Sequence, residues 1–289
     1  MPGLADARHL PDPEFEAAWA SIILPADLKA RLTRQAATVF TLRPVMPFEL
    51  LPLHGVLLLT GEPGVGKTTV ARGLADRVAR VVEGIGEFIY VELDPHALTS
   101  SSLGRSQRAV EHLFSEVLEE EASIGPLIVL IDEIETIATD RSQLSLETNP
   151  VDVIRAVDAA LVGLDRLARR FSNVLLVATS NLAGAIDPAL RSRADFTYDV
   201  PRPDADARRE ILHQTLSALA ESFPGARPLV EPAALKRAVQ ASGGLDGRRL
   251  RKAVAAACSV RAEAQANPDL VTIEDLLVAI RESVEDTSR

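Results

Sequence analysis

Residues 56–82 read VLLLTGEPGVGKTTVARGLADRVARVV. The run Val56–Thr60 has the apolar character of a buried strand. Gly61, Glu62, Pro63, Gly64, Val65, Gly66, Lys67 and Thr68 follow at once, and Thr69 continues into a stretch of helical periodicity. A GxxxxGK[ST] run between a strand and a helix is the pattern of a phosphate-cradling loop. Small residues let successive backbone N–H groups curl around phosphate oxygens. The helix N-terminus adds the positive end of its dipole. Lys67 is expected to reach the terminal phosphates and Thr68 to give its hydroxyl to Mg²⁺. The bland alternative is a Gly-rich turn, but the chain has only four lysines (Lys29, Lys67, Lys236 and Lys252), and one stands where the loop requires it. The expected ligands are ATP and Mg²⁺.

Outward from this loop, strand-like runs recur at 56–60, 88–93, 127–131, 173–178 and 196–200. They are near-continuous apolar runs, as expected for strands covered on both faces. Helical patterns lie between them at about 67–82, 105–122 and 151–169, and a further one precedes the loop at 24–40. Such alternation implies an α/β fold: a five-stranded parallel sheet with helices on both faces. After Pro201 and Pro203 the pattern is helical only, at about 204–221, 232–241, 247–265 and 273–284. Thr272 and Asp275 mark a capping box at the start of the last helix. The expected organisation is a Pro- and acid-rich N-terminal segment, 1–23, partly disordered. A large nucleotide-binding domain, 24–201, and a small all-helical lid, 202–289, follow.

The strand at 127–131 runs into Asp132 and Glu133. An acid at the end of the strand would hold Mg²⁺, partly through water, and its neighbour would polarise an attacking water. With the phosphate loop one strand–helix–strand unit upstream, the pair points to hydrolysis rather than nucleotide storage. The strand NVLLVATSN ends in Asn181, which either orients that water or caps the following turn. Arg191 and Arg193 follow in DPALRSRADF. An arginine supplied to a neighbouring subunit's nucleotide is worth roughly 10³–10⁵ in rate, and the alternative is a surface ion pair. Arg248 and Arg249 open a helix in GLDGRRLRKAV, where cations oppose the dipole, and a phosphate partner would account for Arg248.

Bulk composition narrows the classes. Acids outnumber bases 41 to 31, giving a net charge of −10, which counts against a general nucleic-acid binder. Hydrophobic residues make up 47% of the chain and charged residues 25%, which excludes a disordered chain. Cys258 stands alone in an Ala-rich helical stretch, so no internal disulfide exists, and it reads as a small buried apolar residue. The N-terminus is polar and acidic, unlike a signal peptide. No apolar run approaches the ~20 residues of a membrane helix. A soluble, cytoplasmic protein is expected.

With these residues in view, the chain resembles the AAA+ superfamily over about 24–284. More narrowly, it resembles the pachytene-checkpoint / thyroid-receptor-interactor ATPases, remodellers of HORMA-domain proteins. LIDEIETIATDRS, NPVDVIRAVDAALVGLDRL, NVLLVATSNLAGAIDPALRSRADFTYDVPRP and GLDGRRLRKA carry the likeness. The resemblance implies a homo-oligomeric ring, a hexamer, that grips one end of a HORMA protein and converts it from a closed to an open state. It implies Glu133, Asn181 and Arg193 as catalytic residues, Arg193 acting in trans, with Arg248 as a nucleotide sensor in the lid. The short stretch before the first strand leaves no room for the adaptor-binding domain of eukaryotic members. It points to the reduced bacterial kind, which separates a HORMA protein from a cyclic-oligonucleotide synthase in anti-phage signalling. The family's aromatic pore-loop pair falls here on Ser102 and Leu103, which leaves the grip on the client open. Two other readings remain: a general AAA+ unfoldase or enzyme activase, and a nucleotide-gated scaffold or DNA-loading switch.

Overall fold

A computed structural model of the chain describes residues 3–98, 105–139 and 150–286. The expected client loop with Ser102 and Leu103 lies outside them. In chain order the elements are β1 (Leu4–Leu10), α1 (Pro13–Ser21), α2 (Ala26–Leu42), β2 (Val56–Thr60), α3 (Lys67–Val81), β3 (Phe88–Leu93), α4 (Pro95–Leu98), α5 (Arg105–His112), α6 (Leu118–Ile124), β4 (Leu127–Ile131), α7 (Pro150–Arg170), β5 (Val174–Ser180), α8 (Pro188–Arg191), β6 (Phe196–Asp199), α9 (Ala205–Ser222), α10 (Pro232–Ala241), α11 (Gly247–Ala257), α12 (Ala262–Ala266) and α13 (Ile273–Glu285). A π turn, Leu113–Val117, joins α5 to α6. The chain divides into two compact units. One is Met1–Gly61 with Lys67–Val200, and the other is Glu62–Gly66 with Pro201–Arg289.

The first unit holds a sheet in the order β1-β3-β4-β5-β2-β6. β2 through β6 pair in parallel, as the apolar runs predict. The expectation of five strands is corrected to six: β1 adds an antiparallel edge along β3, from Leu4↔Leu93 to Leu10↔Phe88. Within the 1–23 segment lie β1 and α1. Asp6 and Arg8 lie on the more sheltered side of β1, where charge hides the period-2 signal. Arg8 Nε donates to Asp6 Oδ2 at 2.8 Å, and the guanidinium lies 4.5 Å from the centroid of the Phe15 ring. The cation–π interaction and the ion pair together let the charge sit against apolar surface.

Asp12 then caps α1 by accepting from the Glu14 and Phe15 N–H groups. α1 lies on α3 at Gly73, where an added Cβ would come within 2.8 Å of Trp19 Cα. A glycine inside a helix costs about 1 kcal/mol of propensity, and here it admits a neighbouring backbone. At the far end of α2, buried Arg43 donates to the carbonyls of Val174 (2.5 Å), Ala168 (2.8 Å) and Phe171 (2.9 Å). It thereby ties α2 to the end of α7 and the start of β5. Burial lowers its pKa to about 10, a measure of the desolvation these three acceptors offset.

In the second unit the four expected helical patterns become five helices. The stretch at 247–265 breaks at Cys258–Arg261. Arg261 leaves the helical path to bind the Asp275 carboxylate through Nε (2.7 Å) and Nη2 (2.8 Å), and donates to the Leu270 carbonyl (2.8 Å). Cys258 is half-buried at the α11 C-cap, rather than within a helix. The Thr272–Asp275 capping box is present as the sequence predicts. Among the described residues no helix is long and apolar enough to cross a membrane.

Candidate active site

Buried β2 delivers the chain to Gly61, Gly64 and Gly66, all at positive φ (145°, 87° and 98°). Only glycine takes such angles without steric cost. The turn ends in Lys67, the first residue of α3, which is 6% exposed. Its Nζ donates to the Gly61 carbonyl and to Asn181 Oδ1, each at 2.8 Å. The ammonium is thus held between the end of β2 and the end of β5. Thr69 lies half-buried on the same first turn.

β4 and β5 bring the rest. The register pairs Ile131 with Ala178, so the residues that follow, Asp132 and Thr179, come side by side. Thr68 Oγ1 sits 2.9 and 3.0 Å from the two oxygens of Asp132. Thr179 Oγ1 donates to Asp132 Oδ1 and accepts from the Glu133 N–H at 3.1 Å. Glu133 is left-handed, with φ 53° and ψ 55°, the one such non-glycine among the described residues. That conformation costs an L-residue roughly 1–2 kcal/mol. The Glu133 carboxylate meets Asn181, the residue just past β5. There Asn181 Nδ2 donates to Glu133 Oε1 at 2.8 Å, while His96 Nε2 lies 3.2 Å from Oε2. The Asn181 N–H donates to Glu135 Oε1 at 3.0 Å, fixing the asparagine's backbone.

Asn181 therefore bridges Lys67 and Glu133, cation to carboxylate. The Thr68 hydroxyl and the Asp132 carboxylate face each other as two hard oxygen donors. Mg²⁺ suits such a pair, since it takes one or two protein oxygens and completes its shell with phosphates and water. The Glu133 carboxylate is part-exposed, as a group acting on water must be.

Among the described residues, Arg193 bonds to a different part of the unit. Its Nε and Nη2 grip Asp165 on α7 at 2.6 and 2.7 Å, and its Nη1 donates to the Ala189 carbonyl at 2.7 Å. The bidentate pair pushes the arginine's pKa up and holds the Asp165 carboxyl below its ordinary value. His54 Nε2 approaches the same carboxylate at 3.4 Å, and burial lowers the imidazole's pKa. Arg191 donates to the Ile186 carbonyl. Asp195, two residues beyond Arg193, accepts from the N–H groups of His54, Gly55 and Val56 at 2.6–2.9 Å, anchoring the entry to β2.

In the second unit, Arg248 is exposed on the first turn of α11. Asp246 caps that helix by accepting from the Arg249 N–H at 2.9 Å. The capping carboxylate offsets the two cations at the dipole's positive end, so their placement needs no phosphate to explain it. Glu62 groups with this unit and accepts from Arg202 Nε at 2.7 Å. Sequence reasoning passed over Thr179, Glu135 and His96. Thr179 was accessible from the strand register and its period-2 relation to Asn181. Nothing local to residues 94–98 marks His96.

Residues 57–202 match the family model described as ATPase family associated with various cellular activities (AAA). The chain is 46% identical over 281 residues to CD-NTase-associated protein 6 of Pseudomonas aeruginosa, covering 97% of this chain and 92% of that one. It is 37% identical over 216 residues to a pachytene checkpoint protein 2 homolog of Oryza sativa subsp. indica, covering 73% and 45%. The chain spans about half the length of the pachytene checkpoint proteins it matches. Among solved structures, it superposes on Caenorhabditis elegans PCH-2 with a TM-score of 0.78 at 27% identity, covering 100% of this chain and 78% of that one. The Escherichia coli MS115-1 HORMA:CdnC:Trip13 complex contains a chain alike in fold, with a TM-score of 0.75 at 21% identity, covering 97% and 95%.

Proposed function

The chain belongs to the AAA family of ATPases, beside CD-NTase-associated protein 6 and the pachytene checkpoint proteins, and from that premise we propose that it hydrolyses ATP to remodel a HORMA-domain protein. The client is the HORMA partner of a cyclic-oligonucleotide synthase, and opening it takes the pair apart. The observation that carries the hydrolytic half is the Lys67–Asn181–Glu133 bridge beside the Thr68–Asp132 pair. The client half rests on the near full-length likeness to a protein named for its association with a CD-NTase, and on a fold neighbour solved with HORMA and CdnC.

In this reading the backbone of residues 61–66 and Lys67 bind the triphosphate. Thr68 and Asp132 hold Mg²⁺, which when bound neutralises charge on the phosphates. Glu133 accepts the proton of the attacking water, and Asn181 orients Glu133 relative to Lys67. Arg193 serves the neighbouring subunit in a hexameric ring. Asp165, which holds it by both ends, sets its direction. The family likeness, rather than its placement at the α11 N-terminus, supports Arg248 as the lid's nucleotide sensor.

The test is phosphate release with and without a purified HORMA-domain protein encoded beside this gene. Several-fold stimulation, lost when a HORMA terminus is trimmed, is expected. Glu133→Gln should bind ATP and not turn it over. Ample basal turnover with no response to HORMA protein sinks the client, and normal turnover by Glu133→Gln sinks the base.

A further inference from the structure

Asn181 accounts for one oxygen of the Glu133 carboxylate. The other belongs to His96, which no part of the sequence pattern marks. His96 sits on α4, the four-residue helix directly after β3. Its backbone is fixed: Asp94 Oδ1 accepts from the His96 N–H at 2.9 Å and from the Ala97 N–H at 3.4 Å. The Asp94 N–H in turn donates to the Gly3 carbonyl at 2.9 Å, beside the β1 edge. From this anchored turn the imidazole reaches Glu133 Oε2 at 3.2 Å.

The carboxylate is thus held from two sides by two different strands, Asn181 at the end of β5 and His96 just past the end of β3. A carboxylate oxygen accepts two hydrogen bonds. Each oxygen keeps one site for a water while its orientation is set by the protein donor. A glutamate on a left-handed backbone, half in solvent, would otherwise sample several χ rotamers. Turnover falls with the fraction of time its oxygen points at the water.

Resting on the hydrolytic reading above, we propose that His96 is a positioning residue for ATP hydrolysis, holding Oε2 of Glu133 by the hydrogen bond from α4 so that the carboxylate presents a fixed edge to the attacking water.

The experiment is steady-state phosphate release at varied Mg·ATP by the full chain and by His96→Ala, His96→Gln and Glu133→Gln. Binding of a methylanthraniloyl-ATP probe and thermal midpoints are measured alongside. His96→Ala should lower kcat about three- to tenfold, the range for one partly exposed hydrogen bond to a charged group. KM and probe affinity should stay within about twofold. His96→Gln, whose amide NH₂ reaches as far as Nε2, should recover most of the loss. Wild-type kcat in His96→Ala, or equal loss in Ala and Gln with a lowered thermal midpoint, overturns the proposal. If Glu133→Gln keeps full turnover, the base assignment itself fails, whatever His96 does, so the two failures are distinguishable.

Discussion

Asn181→Ala separates binding from hydrolysis at one side chain. The amide has two jobs, with Oδ1 accepting from Lys67 Nζ and Nδ2 donating to Glu133 Oε1, both at 2.8 Å. Hydrogen bonds to charged groups are worth about 1.5–3 kcal/mol. Lys67 keeps its bond to the Gly61 carbonyl, and binding of the triphosphate supplies the ammonium with new partners. The Lys67 half of the loss thus falls mainly on the ground state. The Glu133 half bears on kcat, because only interactions that strengthen toward the transition state change that constant. Water replaces part of this bond, since Glu133 is part-exposed. The net loss is about 1.4–2.7 kcal/mol, or roughly ten- to hundredfold in kcat, with KM changed by less than about threefold.

Asn181→Asp should be slower still, because it removes the donor and sets a second carboxylate against Glu133 while drawing Lys67 toward itself. The assay is phosphate release across Mg·ATP concentration, with nucleotide affinity measured separately. A kcat within about twofold of wild type in Asn181→Ala refutes the reasoning. A fall in affinity at constant kcat reassigns Asn181 to Lys67. Because Asn181 and His96 hold opposite oxygens of one carboxylate, their double variant should lose less than the sum of the two single losses. The second restraint has little left to fix once the first is gone.

Two further outcomes follow from groups outside the site. Arg43→Ala leaves the Val174, Ala168 and Phe171 carbonyls without this donor, and should cost the chain about 3–5 kcal/mol; urea unfolding monitored at Trp19 reads it, and a loss under about 1 kcal/mol refutes the tie between α2, α7 and β5. In the second unit, the Arg261 guanidinium and the Thr272 hydroxyl and N–H hold the Asp275 carboxyl well below its ordinary value of 3.8. The stability from this carboxylate is therefore fully present above about pH 4 and lost as pH falls further. Asp275→Asn should lower stability at neutral pH and flatten that acid limb in a pH series of thermal melts, whereas an unchanged acid slope rules the linkage out.

What the sequence discloses, and what it hides, follows from how local each signal is. β2 through β5 are legible because strands covered on both faces are apolar runs, whereas β6 lies at the sheet's edge with Tyr198 its one buried residue. The phosphate loop is legible because its glycines, Lys67 and Thr68 are contiguous. Asp132, Glu133 and Asn181 are legible because each ends a strand. β1 is hidden because Asp6 and Arg8 neutralise each other on its sheltered face. The break after α11 is hidden because no Gly or Pro makes it. Arg261 makes it by binding a carboxylate fourteen positions on. Arg43 and Asp195 are hidden likewise, since their partners lie 125–141 residues away.

The aim of the Glu133 carboxylate is the least legible feature. A left-handed residue is expected of Gly, Asn or Asp, and nothing in IDEIE announces one at Glu133. The conformation stands because the Thr179 hydroxyl accepts the Glu133 N–H, and because Asn181 and His96 hold the carboxylate that results. None of these three residues is adjacent to Glu133 in sequence, and each is delivered by the register of β3, β4 and β5. The motif therefore names the base proposed for hydrolysis, while the sheet decides where it points. Variants of Thr179, Asn181 and His96 should slow hydrolysis in a chain whose phosphate loop and acidic pair are untouched.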